Sequence, residues 1–158
     1  MPRTERIGGC VGGSGGVWEV FISHASADDG FVAQLRQRLE RHGVPVWVDS
    51  RNLRGGDQLA PEIEAAIEAA SHVLVVLSPD TVNSPWVRCE VDKGLEVQRA
   101  RADGYRVVPL LLPGVTPQAL GLWFPEVPVG VAGEVGPGGL SAALPGVLTA
   151  LGRRLPTD

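Results

Sequence analysis

The sequence predicts an α/β fold, a doubly wound parallel sheet of five strands with helices on both faces. Short β-branched runs alternate along the chain with amphipathic segments of helical length, which is the pattern of repeated strand–helix–strand units. The run His72–Ser78 is continuously apolar between its two end residues, as expected for a strand with both faces covered. With 158 residues, 44% of them hydrophobic, the chain has the size and composition of one domain.

The regular part of the chain begins with a strand and a helix. Trp18–Ser23 is aromatic and β-branched, which favours a buried strand. Ser26 or Asp28 is expected to cap the following helix, because short polar side chains accept hydrogen bonds from its first N–H groups. Apolar residues then recur every three or four positions, and Gly43 is expected at the C′ position that ends this helix.

The second strand and helix flank a polar loop. Val44–Val48 is a short strand, and Pro45 indicates a sheet edge or a strand start, because proline cannot donate to the ladder of hydrogen bonds. Residues 49–56 form the loop and end in a glycine pair. Asp57 is expected to cap a helix that runs to Ala70, with apolar residues on one face and glutamates on the other.

The third strand, His72–Ser78, precedes the clearest helix start in the chain. Ser84 followed by Pro85 is an N-cap with proline at the first helical position. We expect this helix to continue to about Arg101, and Arg106–Leu112 to form the fourth strand.

The two ends of the chain are less regular. Residues 104–158 hold ten glycines and eight prolines, and there we expect a short fifth strand within Val127–Val131 and a last helix over Leu140–Leu155. Residues 1–16 are rich in glycine and are expected to form a flexible leader. The folded domain is therefore predicted over residues 17–154, with a tail at 155–158.

Charge and composition exclude several classes of function. A formal net charge of −4 gives no general attraction to nucleic acid or to an anionic membrane. No apolar run approaches the length of a membrane span. His24, His42, His72 and Cys89 lack the spacing of metal ligands, so no metal is expected. One of the two cysteines lies in the expected leader, so a structural disulfide is not expected and the cytoplasm is the predicted compartment.

Known phosphate and nucleophile motifs fail on context. The run Gly12–Gly16 has the letters of a nucleophile elbow but precedes the first strand, whereas that motif follows a strand and opens a helix. Lys93 is the only lysine and is followed by Gly94, which excludes a Walker A loop. A phospho-receiver domain needs a lysine after its fifth strand, and no lysine follows Lys93.

A pair of residues at the start of the third helix is the best candidate for chemistry. In doubly wound sheets, ligands bind beyond the carboxyl ends of the strands, and this helix begins at that edge. Trp86 and Glu90 are four residues apart, so they share one face. An ordinary amphipathic helix, with Trp86 packed on the sheet and Glu90 in solvent, explains the spacing as well, and spacing alone favours it.

Five segments together resemble a TIR (Toll/interleukin-1 receptor) domain of the bacterial kind. The resemblance covers roughly residues 17–150, in the order and spacing of the family. The segments are Val20–Ser26, Val46–Asp49, Leu53–Asp57, Val75–Ser78 and Ser84–Glu90. Each segment is weak alone and the set is specific, and the fold it implies is the flavodoxin-like sheet.

The resemblance implies an enzyme that cleaves NAD between nicotinamide and ribose. The family's catalytic glutamate lies in a Trp-x-x-x-Glu pattern, which Trp86 and Glu90 match. NAD would then be a substrate, no cofactor is expected, and the expected partners are other TIR domains. A role in bacterial immunity, including antiphage defence, comes from the resemblance alone. The alternative is a non-catalytic TIR module that signals by association with other TIR domains.

The resemblance also implies a set of residues that contact the substrate. These are His24, Ala25, Ser26, Asp49, Arg54, Gln58 and Trp86. Three of them have equally good structural interpretations. His24 can be a satisfied loop residue, Asp49 can form an Asx turn that ends the second strand, and Arg54 can be a solvated loop charge.

Overall fold

A five-stranded parallel sheet organises the protein, here a computed structural model that describes residues 20–48, 61–81, 84–101, 103–116, 118, 120–124, 133–135 and 139–152. Its strands lie in the order 2-1-3-4-5, and every neighbouring pair is parallel. The strands are β1 (Val20–Ser23), β2 (Val46–Val48), β3 (His72–Leu77), β4 (Arg106–Leu111) and β5 (Gly133–Glu134).

Helices connect the strands and cover both faces, which confirms the predicted doubly wound fold. A 3₁₀ turn at Ser26–Asp28 leads directly into the first helix. The helices are α1 (Asp29–Arg41), α2 (Pro61–Ala69), α3 (Pro85–Ala100), α4 (Leu120–Trp123) and α5 (Gly139–Ala150). β2 is an edge strand, as Pro45 at its start predicts.

The alternation of side chains along each strand separates two hydrophobic cores. In β1, Val20 and Ile22 pack in the core formed with α1 and α5. Phe21 points to the opposite face and packs in the core formed with α2 and α3. Because successive side chains alternate, Ser23 falls on the same face as Phe21, beneath α3.

Two predicted helix ends are confirmed. The Ser84 hydroxyl accepts a hydrogen bond from the Val87 N–H at 3.3 Å, and Pro85 is the first residue of α3. Gly43 follows α1 with a φ of +76°, a left-handed conformation that favours glycine. Both ends therefore form as their sequence motifs predict.

The predicted side-chain cap of α1 is wrong. Asp28 occupies the N-cap position, but its side chain makes no capping hydrogen bond. The chain makes a 3₁₀ turn before the helix, and the Asp28 carboxylate instead accepts a hydrogen bond from the Ser78 hydroxyl at 2.6 Å. The Asp28 carboxylate, which was expected to cap α1, therefore binds Ser78 in a distant part of the sequence instead.

The C-terminal elements differ in position from the prediction. The last helix ends at Ala150 rather than Leu155, because Gly152 follows it in a turn with a φ of +78°. The segment Val127–Val131 lies outside the described residues, and the fifth strand that the structure describes is Gly133–Glu134. Trp18, Asp57, the leader 1–16 and the tail 155–158 also lie outside them.

The helices on the α3 face are fixed to each other and to the sheet by close contacts. A Cβ added at Gly94 of α3 would lie 2.9 Å from a methyl carbon of Val107, so glycine permits the close approach of α3 to β4. The Arg101 guanidinium donates to the carbonyls of Glu68 at 3.0 Å and Ala70 at 2.9 Å. The Tyr105 hydroxyl donates to the Ile67 carbonyl at 2.8 Å. These bonds satisfy carbonyl groups that the end of α2 would otherwise leave without intrahelical partners.

We expect the free energy of unfolding to fall as the pH rises above about 10. Burial raises the pKa of Tyr105 well above its ordinary value of 10.0. Above that ordinary value the unfolded chain therefore loses the phenolic proton first, which stabilises the unfolded state. Tyr105→Phe should remove this part of the pH dependence and cost about 1 kcal/mol at neutral pH, because the Ile67 carbonyl loses its donor.

Urea unfolding of both proteins between pH 7 and 11 measures this effect. Tyr105 is the only tyrosine, so tyrosinate absorbance follows its ionisation directly. Ionisation of the folded protein near pH 10 would contradict the account.

Candidate active site

Five buried polar side chains occur in the part of the chain that the structure describes, and all lie at one end of the sheet or in α3. They are Ser23, His24, Ser78, Thr81 and Glu90. β1 and β3 are neighbours in the sheet, and both end here. β1 lies at the point where the strand order reverses, which is the place where doubly wound sheets bind ligands.

Ser23 and Glu90 form the centre of this cluster. The Ser23 hydroxyl donates a hydrogen bond of 2.5 Å to Glu90 Oε1, and both residues are 0% exposed. The bond follows from local structure, because Ser23 faces α3 and Glu90 lies in the second turn of that helix. A buried carboxylate needs such a partner, since burial of an isolated charge is costly.

The burial of Trp86 and Glu90 tests whether α3 is an ordinary amphipathic helix with Trp86 packed on the sheet and Glu90 in solvent. Trp86 is 4% exposed and belongs to the apolar core that also contains Phe21 and Val91. This placement is the one that an ordinary amphipathic helix predicts for Trp86. Glu90, however, is buried rather than solvated, so the amphipathic interpretation fails for the carboxylate.

His24 turns to the other side of the strand end. Its Nε2 atom lies 2.7 Å from Asp29 Oδ1, at the start of α1. Both residues line a cavity of about 340 Å³, together with Arg36 and three apolar residues. Of the neighbouring predicted residues, Ala25 is buried and Ser26 is exposed. The last residue of β1, Ser23, thus faces α3, and the next residue, His24, faces the α1 side.

A second set of hydrogen bonds joins the loops after β1 and β3. The Ser78 hydroxyl donates to Asp28 Oδ2 at 2.6 Å. The Thr81 hydroxyl accepts from the Ser78 N–H at 2.8 Å and donates to the Val76 carbonyl at 3.2 Å. These contacts hold the two loops together at the edge where Glu90 is buried.

The sequence predicted Glu90 and His24 as site residues but not the other polar residues of this edge. Ser23 and Ser78 carried a usable signal, because each is a hydroxyl residue that ends an otherwise apolar strand. Thr81 and the tertiary role of Asp28 gave no such signal. The predicted contacts Asp49, Arg54 and Gln58 lie outside the described residues.

The described residues contain no group of three or more His, Cys, Asp or Glu side chains placed to hold a metal ion. No helix within them has the length and apolar character needed to cross a bilayer. The Ser23–Glu90 pair gives the site a carboxylate with one oxygen held by a hydroxyl. Such a group can stabilise a positive charge that develops beside it.

Comparisons with known proteins found a matching family and similar proteins. A family model of the TIR domain matches residues 20–127. The chain is 38% identical over 76 residues to the 2′ cyclic ADP-D-ribose synthase AbTIR of Acinetobacter baumannii, covering 48% of this chain and 28% of that protein. It is 35% identical over 92 residues to the NAD(+) hydrolase TcpC of Escherichia coli O6:H1, covering 58% and 29%. The matched region thus spans less than a third of the length of either relative.

A solved structure shows the same fold. The TIR domains of the activated Roq1 resistosome, which directly recognises the pathogen effector XopQ, superimpose with a TM-score of 0.55 at 27% sequence identity. The superposition covers 65% of this chain and 61% of that one.

We expect Ser78→Ala to lower the free energy of unfolding by about 1–3 kcal/mol, because the Asp28 carboxylate loses its hydroxyl donor. Ser26→Ala is the matched control, since Ser26 is exposed in the adjacent turn, and its effect should stay within about 0.5 kcal/mol. Urea unfolding of the two variants measures the difference. Equal effects of the two substitutions would show that the Ser78–Asp28 bond does not stabilise this edge.

Proposed function

The chain belongs to the TIR domain family, and on that premise we propose that it cleaves the bond between nicotinamide and ribose in NAD+. The products are nicotinamide and either ADP-ribose or a cyclic form of ADP-ribose. Two curated relatives have names that describe these reactions, since AbTIR is a 2′ cyclic ADP-D-ribose synthase and TcpC is an NAD(+) hydrolase. NAD+ is the substrate, and the proposed reaction needs no resident cofactor.

The buried Ser23–Glu90 pair is the observation that carries the proposal. Glu90 is the fully buried carboxylate at the carboxyl edge of the sheet, and Ser23 fixes one of its oxygens. Burial lowers the local dielectric, which strengthens the interaction of a carboxylate with a nearby positive charge. A merely structural position would be filled more favourably by an apolar residue of similar size.

A single carboxylate in a fixed orientation can assist the loss of nicotinamide from NAD+. Nicotinamide in NAD+ leaves as a neutral ring, because the electrons of the broken C–N bond neutralise its positive nitrogen. The ribose carbon then carries positive charge, as in the oxocarbenium-like transition state of glycoside hydrolysis. Glu90 stabilises that charge and orients the ribose hydroxyls. In hydrolysis, water adds to this carbon and its proton passes to solvent. In cyclisation, a hydroxyl of the same molecule takes the place of water.

The remaining predicted residues have substrate-binding roles in this proposal. Trp86, one turn before Glu90, borders the region of nicotinamide and ribose. His24, Ala25 and Ser26 contact the dinucleotide from the loop after β1, and the cavity of about 340 Å³ beside His24 supports this placement. Asp49, Arg54 and Gln58 contribute from the loop after β2.

The complete burial of Glu90 means that substrate reaches it only if the side chains that cover it move. We propose that association with other TIR domains drives this movement, so that the active form is an oligomer. The Roq1 structure supports this idea, because its TIR domains belong to an activated resistosome. Recognition of a pathogen effector by that resistosome supports a role in immunity, which for a bacterial chain includes antiphage defence, and we place this role in the cytoplasm.

A non-catalytic module that acts through association of TIR domains is the second candidate function. One observation favours it: Trp86 lies in the core and Glu90 is covered, so both residues could serve the packing of α3. The two functions differ in their dependence on NAD+.

We expect Glu90→Gln to abolish the release of nicotinamide from NAD+, because the neutral amide cannot stabilise the ribosyl cation. The loss should be at least about a hundredfold, comparable to removal of one preorganised electrostatic group from an active site. Glu96→Gln is the matched control, since Glu96 lies in the same helix with 68% of its side chain exposed, and it should retain activity. Nicotinamide release is measured by chromatography and folding by thermal denaturation. Undiminished turnover in a folded Glu90→Gln variant would rule out the assignment.

We expect the rate of NAD+ cleavage to rise faster than linearly with protein concentration, because assembly exposes Glu90. Adding the Glu90→Gln variant to a fixed amount of wild-type chain should raise the activity per wild-type molecule, since the variant can still associate. Initial rates over a hundredfold range of concentration measure this dependence. A strictly proportional rise, with no response to the variant, would show that the monomer is sufficient.

A further inference from the structure

A second groove lies on the outer side of α3, away from the buried carboxylate. Its volume is about 360 Å³, within the range of small-ligand sites. The lining residues are Arg88, Asp92, Leu95, Arg99, Gly121, Trp123 and Phe124, and we call this site the α3–α4 groove. Arg88 precedes Glu90 by two residues, which is about 200° around a helix, so the groove and Glu90 occupy different faces of α3.

The charge of the groove favours an anionic ligand. Among the lining residues that the structure describes, Arg88 and Arg99 contribute two positive charges and Asp92 one negative charge, whereas the whole chain carries a formal net charge of −4. A local excess of positive charge on a negatively charged protein selects for ligands that carry negative groups. Guanidinium groups bind phosphate and carboxylate oxygens through paired N–H donors.

Arg88 is held in place before any ligand binds. Its guanidinium carbon lies 4.1 Å from the centre of the Trp123 ring, and its Nη1 atom donates to the Trp123 carbonyl at 3.4 Å. Stacking on an aromatic face orients the planar group and its in-plane donors. Less side-chain freedom is therefore lost when an anion binds, which favours affinity.

The apolar residues of the groove and the Asp92 carboxylate restrict the class of ligand further. Leu95 and Phe124 are each less than 10% exposed and form an apolar floor beside the Arg88–Trp123 stack, which suits a flat ring. Gly121 adds no side chain, and a Cβ placed there would meet nothing within 4 Å. Asp92 can accept hydrogen bonds only from a ligand with amino or hydroxyl donors. A ligand with a phosphate, a planar ring and hydroxyl groups satisfies all three regions.

We propose that the α3–α4 groove is a binding site for a nucleoside phosphate, separate from the site at Glu90. Arg88 and Arg99 bind the phosphate, Asp92 accepts from ribose hydroxyl or base amino groups, and the base lies on the apolar floor. Binding of this ligand does not depend on cleavage of NAD+, so the site is present even if the proposed enzymatic function is wrong.

Fluorine NMR of protein labelled with 5-fluorotryptophan tests this assignment. Two of the four tryptophans report on the two sites. Trp123 lines the groove, and Trp86 lies one turn before Glu90. Tryptophan-to-phenylalanine variants assign the signals. Titration with ADP should shift the Trp123 signal at lower concentration than titration with adenosine or with inorganic phosphate, because ADP engages the floor and the arginines together.

Arg99→Gln, with Arg41→Gln as the matched control, identifies the groove as the origin of the shift. Arg41 is an exposed arginine on α1, and its substitution changes net charge equally. We expect Arg99→Gln to weaken ADP binding about tenfold and Arg41→Gln to leave it unchanged. The proposal is overturned if ADP moves only Trp86, if ADP moves no signal, or if both variants weaken binding equally.

Discussion

The burial of one carboxylate sets the strongest constraint on this structure. Glu90 lies inside the α3 face of the sheet with no solvent exposure, where an ionised group is tolerated only with hydrogen-bonding partners. The Ser23 hydroxyl is one such partner. It reaches Glu90 because Phe21 and Ser23, two residues apart in β1, both face α3. The Ser84 cap and Pro85 fix where α3 begins, and thus which residue of the helix faces Ser23.

The other polar contacts at this edge stabilise the loops that surround the carboxylate. Ser78 joins the loop after β3 to Asp28 in the loop after β1, and His24 pairs with Asp29 at the start of α1. These two contacts and the Ser23–Glu90 bond all involve the segment from Ser23 to Asp29, so this short stretch couples β1, β3, α1 and α3. A change in the position of that loop would alter the environment of Glu90 directly. In the proposed function, association of TIR domains could therefore change the exposure of Glu90 by moving this loop.

Much of the fold could be predicted from the sequence because local signals and tertiary packing agree. The apolar run of β3, the cap at Ser84 and the left-handed Gly43 each have a local physical cause, and each element forms where it was expected. The sequence did not predict the tertiary role of Asp28, because a carboxylate before a helix is an equally good N-cap. It located the last helix but not its end at Ala150, where Gly152 makes the turn. For the candidate site, spacing identified Trp86 and Glu90, but burial of Glu90 depends on Ser23, which is 67 residues away in the chain. Long-range pairs of this kind leave no periodic trace in a single sequence.

The central claim is that Ser23 holds Glu90 in a catalytic orientation, and the turnover of NAD+ by Ser23→Ala tests it most directly. We expect kcat for nicotinamide release to fall at least about tenfold while KM changes little, because the lost contact acts on the carboxylate and not on substrate binding. Ser71→Ala is the matched control, since Ser71 is exposed just before β3 at the opposite end of the sheet, and it should keep the wild-type kcat. A folded Ser23→Ala variant with unchanged kcat, beside an active wild-type protein, would contradict the claim.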